Sequence, residues 1–242
     1  VSVLPVALAE DETDWTIDEK KKTVSIYTAD GLRAWANTIT PKYLEATSMD
    51  VINHGIRIYD GYTINIMKDI DLKDENWTSI LGIGGNVIID GQNHTIKNMK
   101  ISESENYGGY TFLGFIGHIA YTSPLTIKNL TFENAHVQDT KGDSYSWAAV
   151  VVGHGPMQNT PDPAQSDCTF ENVHVINSSV TDGHNGAAIL GYAGSTEKGH
   201  TFKDCSVTNT FIGGYKSTSA ILFSMGGANV SVENCAASGV LL

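Results

Sequence analysis

The side chains best suited to recognition chemistry fall in four short stretches. Glu103, Glu105, Tyr107 and Tyr110 come first, followed by Asp139, Asp143, Tyr145 and Trp147, then Asp182 and His184, then Tyr215. Aromatic rings beside carboxylates are what sugar recognition uses, because rings stack on the apolar faces of pyranoses and carboxylates accept hydrogen bonds from hydroxyls. Carboxylates on loops also suit calcium, which takes oxygen ligands. On residue type alone, the ligand-binding set is Tyr107, Tyr110, Asp139, Asp143, Tyr145, Trp147, Asp182, His184 and Tyr215. Calcium is the one ion it suggests, and no organic cofactor is expected.

Covalent and metal chemistry finds less support. No histidine pair has the zinc-protease spacing, and neither a Gly-x-Ser-x-Gly elbow nor a phosphate-cradling glycine loop occurs. Cys168, Cys205 and Cys235 lack metal-ligand spacing, and three cysteines cannot all pair with one another. Arginine stands only at Arg33 and Arg57, which handicaps any reaction needing a bidentate grip on carboxylate or phosphate.

What must position the four stretches is a repeat. Five segments align without gaps: His94–Ile101, Leu125–Phe132, Cys168–Val175, His200–Val207 and Val230–Ala237. Their third position is apolar (Ile96, Ile127, Phe170, Phe202, Val232) and their fourth is charged (Lys97, Lys128, Glu171, Lys203, Glu233). The fifth is Asn98, Asn129, Asn172, Asp204 and Asn234. Alternation with period two marks half-buried strands, and a recurrent Asn or Asp marks a bend, since these residues tolerate the left-handed conformation. A second column holds Asn134, Asn177, Asn209 and Gly239, and Asn exchanging with Gly at one site is the mark of a positive-φ requirement. A third set aligns Tyr110–Gly117, Ala148–Gly155, Ala187–Gly194 and Ser219–Gly226, each ending in glycine. His154 then shares a column with Ile116, Ala193 and Met225 and reads as a partly buried strand residue. Cys205 and Cys235 follow one another in an inward column, as two small buried thiols or a disulfide.

Each copy thus supplies three short strands and two bends, and one copy cannot bury its apolar face alone, so copies must stack. The expected architecture is all-β, a right-handed parallel β-helix with three strands per rung and a ladder of Asn98, Asn129, Asn172, Asp204 and Asn234 at its corners. Upstream, Leu32, Trp35, Ala36 and Ile39 share one helical face, predicting a capping helix near residues 29–39. The β-helix domain is placed at 25–242, after an N-terminal segment at 1–24. In that segment Val1–Ala9, with Glu10-Asp11-Glu12 behind it, reads either as the remnant of a secretory signal or as an edge strand. At the other end the repeat stops just past its second bend, so further rungs, a domain or a subunit are expected there.

The 242 residues carry a net charge of −12 with a pI near 4.9. Such a surface repels phosphate backbones and anionic lipid, and no run approaches the ~18 apolar residues of a membrane helix. Neither nucleic-acid binding nor membrane insertion is expected.

Thr28–Leu32, Asp69–Trp77 and Ile89–Asn98 together resemble exported bacterial surface proteins with pectin-lyase-like β-helices, and Phe112–Gly117 resembles the GLUG repeats of such adhesins. The resemblance covers about residues 25–242 and implies export and surface display. Pectate lyases of this shape need clustered carboxylates and a basic residue, yet no arginine lies in the repeat region. The polygalacturonases carry a Gly-His-Gly segment, matched by Gly153–Gly155 without its companion aspartates. No catalytic residue is therefore assigned. The leading expectation is a non-catalytic adhesive or glycan-binding segment of a larger surface protein. The alternatives are a polysaccharide lyase or glycoside hydrolase, and an oligomeric spike or fibre component.

Overall fold

The computed structural model describes residues 13–102, 106–107, 110–140, 145–156, 167–194, 199–224 and 229–242. The chain is mostly strand, and its helices lie near the start. Three sheets account for the strands. The first places Trp15–Asp18, Thr23–Ile26, Thr63–Ile66, Val87–Lys97, Leu125–Glu133, Cys168–Ile176, His200–Lys203 and Val230–Glu233 side by side. The second runs from Ile80–Ile83 through Ile116–Ile119, Val152–His154 and Leu190–Ala193 to Leu222–Ser224. The third contains Tyr110–Leu113, His136–Gln138, Ser146–Ala149, Ser179–Ala187 and Phe211–Ser219. Strands from successive repeats pair in parallel, and each repeat visits the first, third and second sheets in turn.

Periodicity explains the core. Ile89, Ile127, Phe170 and Phe202 pair in succession, as do Ile96, Phe132, Val175 and Val207, and all eight are buried. Phe170 and Phe202 stack with centroids 4.9 Å apart. Outward residues between them pair by charge: Lys128 lies opposite Glu171, which lies opposite Lys203, which lies opposite Glu233.

The bends follow the expected columns from the second copy onward. Asn129, Asn172, Asp204 and Asn234 have φ of 52°, 55°, 54° and 52°, while Asn134, Asn177, Asn209 and Gly239 have 54°, 51°, 46° and 63°. Asn172 Nδ2 donates to Asn129 Oδ1 at 3.1 Å and Asn234 Nδ2 to Asp204 Oδ1 at 3.2 Å. The first copy corrects the expected alignment. Asn98 accepts from Asn134 Nδ2 at 2.7 Å, so it heads the second column, and the partner of the Asn129 side chain is instead Asp90, which pairs in register with Lys128 and whose Oδ1 accepts from Asn129 Nδ2 at 3.1 Å. The cause is a bulge at Gly91–Asn93, where Gln92 and Asn93 adopt φ of 51° and 64° and shift the register between Lys128 and Leu130. Lys97 accordingly sits opposite Glu133, not Lys128.

The predicted cap is a helix at Ala29–Ala36, started by Thr28 Oγ1 accepting from Gly31 N at 3.0 Å. Leu32, Trp35, Ala36 and Ile39 are buried as anticipated. Two further helices, Thr40–Leu44 and Met49–His54, follow it and were not read from the sequence, being too short to show a period. The helix Thr40–Leu44 presses Tyr43 onto Gly82, where φ is +70° and a Cβ would fall inside the Tyr43 ring. A hairpin of Trp15–Asp18 with Thr23–Ile26 spans the boundary expected at residue 24, and residues 1–12 with the proposed leader lie outside the description. At the far edge the strands Val230–Glu233 and Ala236–Ser238 are exposed throughout. All three cysteines are free, and Cys235 is half-buried, so only Cys205 of the expected thiol pair is fully enclosed.

Candidate functional site

A cleft of about 370 Å³ opens where the second and third sheets meet. Two columns of side chains face one another across it. From the third sheet come Phe112, Trp147 and Asn185, which are neighbours in strand register. From the second come His118, His154 and Tyr192, with His118 and His154 directly paired. Ring meets ring along the seam: Phe112 stacks on His118 at 4.8 Å, Trp147 meets His154 edge-on at 4.9 Å, and His154 stacks on Tyr192 at 4.7 Å. Between the two columns the chain turns through Val150 and Val151, which are buried in the core.

The mouth of the cleft is formed by residues read from the sequence. Tyr110 and Tyr145 are 43% and 56% exposed and meet at 5.9 Å, and Tyr110 also lies 5.5 Å from Trp147. His184 lies 5.8 Å from Tyr145, its backbone N–H donating to the buried Ser146 Oγ at 2.8 Å. Lys216 and Tyr121 complete the lining. Thus Tyr110, Tyr145, Trp147 and His184 converge although they come from three successive repeats.

Other expected residues do not join them. Asp139 is 4% exposed and absent from the cleft: its strand end is held down by Asp139 N donating to Thr181 O at 3.1 Å. Asp143 lies outside the described residues, as do the side chains of Tyr107, Asp182 and Tyr215, whose backbones belong to strands. The contributing residues also stand mainly on strands, where loops were expected.

Phe112, Tyr121, His154, Asn185, Tyr192 and Lys216 were missed in the lining, and His118 beneath it. The reason is register. Aligning Gly117 with Gly155 slides the first two copies by two residues, whereas the structure pairs Ile116 with Val152 and so sets Gly117 beside Gly153. The readable signal was a repeated dipeptide, Gly117-His118, Gly153-His154 and Gly191-Tyr192. His154 is accordingly a fully buried ring among rings, not the partner of Ile116.

Electrostatics in the cleft follow from burial. Desolvation pushes His118 down to about 3 and holds His154 well below the ordinary imidazole range, the neighbouring His118 adding to the effect. Burial raises the Tyr192 hydroxyl. Both histidines are therefore neutral at pH 7. Among the described residues no group of three or more His, Cys, Asp or Glu side chains is arranged to hold a metal ion.

No family model matches the chain, and no curated protein matches it. A comparison with solved structures finds a crystal structure from Bacteroides ovatus named as a "putative immunoglobulin A1 protease", at TM-score 0.60 and 17% identity. The match covers 88% of this chain and 56% of that one, so the chain spans little more than half the length of its structural neighbour. At that identity the likeness concerns the fold.

Proposed function

We propose that this chain is a segment of an exported bacterial surface protein, and that its aromatic cleft binds a glycan without catalysis. The observation that carries the reading is the convergence of Tyr110, Tyr145, Trp147 and Tyr192 on one 370 Å³ cleft. Such a volume suits one or two sugar rings, and aromatic walls with a few polar groups are the usual lining of a small-ligand site. His184, Asn185 and Lys216 offer the polar contacts that would orient hydroxyls.

The scaffold we infer is a right-handed parallel β-helix of the pectin-lyase-like kind, three strands to a rung. In-register parallel pairing in three sheets visited in fixed order supports it, and the strong preference of parallel crossovers for the right hand supports the handedness. The exposed strand Val230–Glu233, carrying Val232 at its centre, favours a further rung, domain or subunit against that edge.

A glycan array probed with the full chain, with and without calcium, tests the reading. Binding should appear on a subset of saccharides and fall at least tenfold in the double variant Trp147→Ala, Tyr145→Ala. Equal binding by the variant, or no saccharide bound in either condition, removes the proposal. Binding lost on calcium removal alone would give the ion a part in recognition.

A further inference from the structure

His118 and His154 pose a problem that the glycan reading leaves unused. They are 1% and 2% exposed, paired in register on adjacent strands, with ring centroids 5.2 Å apart and planes inclined at 49°. Nε2 of His118 and Nδ1 of His154 are buried and make no hydrogen bond of good geometry, although the backbone of His154 and Gly155 lies close to the His154 ring. A buried polar atom left unpaired costs about 1–3 kcal/mol, and native structures keep few of them, so two on neighbouring rings demand a reason.

We propose that the two rings form a two-coordinate site for a monovalent metal ion, with Cu(I) as the ion that fits. On the protein side the ligands are His118 Nε2 and His154 Nδ1. The other ring nitrogen of His118 lies 3.4 Å from the Tyr43 hydroxyl, and with the ring proton on that nitrogen Nε2 is the one that ligates. Imidazole nitrogen suits copper, and metal–imidazole bonds run about 2 Å, so the rings must turn until the two nitrogens stand about 4 Å apart with the ion between them.

Charge decides against the commoner ions. Zinc in proteins usually takes four ligands and calcium six or more oxygens. Neither is offered here, because no described Asp, Glu or Cys joins the pair to make a ligand group of three. A divalent ion without an anionic ligand would also carry a large desolvation cost, whereas a single positive charge carries much less. The walls favour a cation as well, since Phe112 stacks on His118 and meets His154 edge-on at 5.2 Å, and Trp147 lies 4.9 Å from His154. Entry is provided by the cleft, which His154 lines. The site stands independently of whether the cleft binds a glycan.

The test uses the full chain with Cys168→Ala, Cys205→Ala and Cys235→Ala, so that thiols do not compete for the ion. Anaerobic titration with Cu(I) against a bicinchoninate competitor should show one retained equivalent, and Ag(I) should do the same. In the parent, two-bond proton–nitrogen spectra should show Ag(I) moving the ring nitrogens of His118 and His154 and of no other histidine. Ag(I) should also quench part of the tryptophan fluorescence, and Trp147→Phe should abolish that quenching. Affinity should fall at least a hundredfold in His154→Phe and in His118→Phe. No retained equivalent, unmoved resonances of these two histidines, or undiminished binding by folded variants overturns the proposal and leaves a trapped water as the partner of both nitrogens.

Discussion

Trp147 and Asn185 face one another in register on adjacent parallel strands, and with the Asn185 amide turned to satisfy both its ends, its oxygen accepts the Trp147 Nε1 hydrogen at 3.2 Å. The same amide donates to the His184 carbonyl at 3.3 Å, so one buried side chain fixes two residues of the cleft. Replacing it with leucine keeps the volume and leaves an indole donor with no acceptor. Asn185→Leu should destabilise the fold by about 1–3 kcal/mol in urea unfolding. In a Trp147→Phe background that loss should shrink, because no N–H remains to be stranded. An equal loss in both backgrounds would mean that Asn185 acts through something other than the indole.

The bend ladder separates backbone from side-chain effects at Asn172. Its φ of 55° lies in the left-handed region, and its Nδ2 donates to both Asn129 Oδ1 and Asn93 Oδ1. Alanine loses the hydrogen bonds and also bears a left-handed cost of about 1–2 kcal/mol, whereas glycine loses the bonds alone. Asn172→Ala should therefore be less stable than Asn172→Gly, and both less stable than the parent. Thermal unfolding of the three proteins checks the order, and an alanine variant matching the glycine one would show that the backbone there is unstrained.

What could be read from the sequence depended on whether chemistry or spacing carried the message. Asn129, Asn172, Asp204 and Asn234 were legible because a positive φ restricts residue type, and so were the core columns through Phe170 and Phe202, because strand alternation repeats. Asn98 was misassigned because its own copy carries the Gly91–Asn93 bulge, which no periodic template anticipates. The cleft was half legible. Tyr145 and Trp147 announce themselves by type, but His154 looked like an isolated strand histidine until register set it between His118 and Tyr192. Asp139 misled because a carboxylate after a strand looks exposed, and burial is a property of what packs over it.

Acid should unfold this protein through the paired histidines. A histidine whose folded pKa is depressed binds fewer protons in the native state than in the unfolded chain. Between the unfolded value near 6.5 and the folded value of His118 near 3, the unfolded state gains a proton, so stability falls as pH falls. His118 contributes a slope of about 1.4 kcal/mol per pH unit within that window, and His154 acts in the same direction. Above pH 7 these terms vanish. Urea midpoints measured from pH 7 to pH 4 should decline, and His118→Phe should flatten the decline by one proton's worth. A slope unchanged in that variant would show that His118 carries none of it and would leave the other depressed imidazoles, His154, His174 and His200, as its source.

Two glycines two residues apart test the corrected register most directly. A Cβ on Gly153 would meet Leu113 O at 2.6 Å and both Gly117 O and Trp147 O at 2.9 Å, all backbone atoms that cannot swing away. On Gly155 it would meet Tyr192 O at 3.1 Å and the yielding Leu190 Cδ1 at 3.3 Å. Gly153→Ala should therefore cost about 1–3 kcal/mol, in the range of overpacked cores, and Gly155→Ala distinctly less. Because Gly153 stands between Val152 and His154 on the strand that faces Trp147, the same alanine should also weaken any ligand of the cleft by forcing His154 from the indole. Had the glycines of the repeat stacked as Gly117 on Gly155, the severe substitution would be Gly155→Ala. Unfolding curves for the two single variants, measured side by side, decide which column is real.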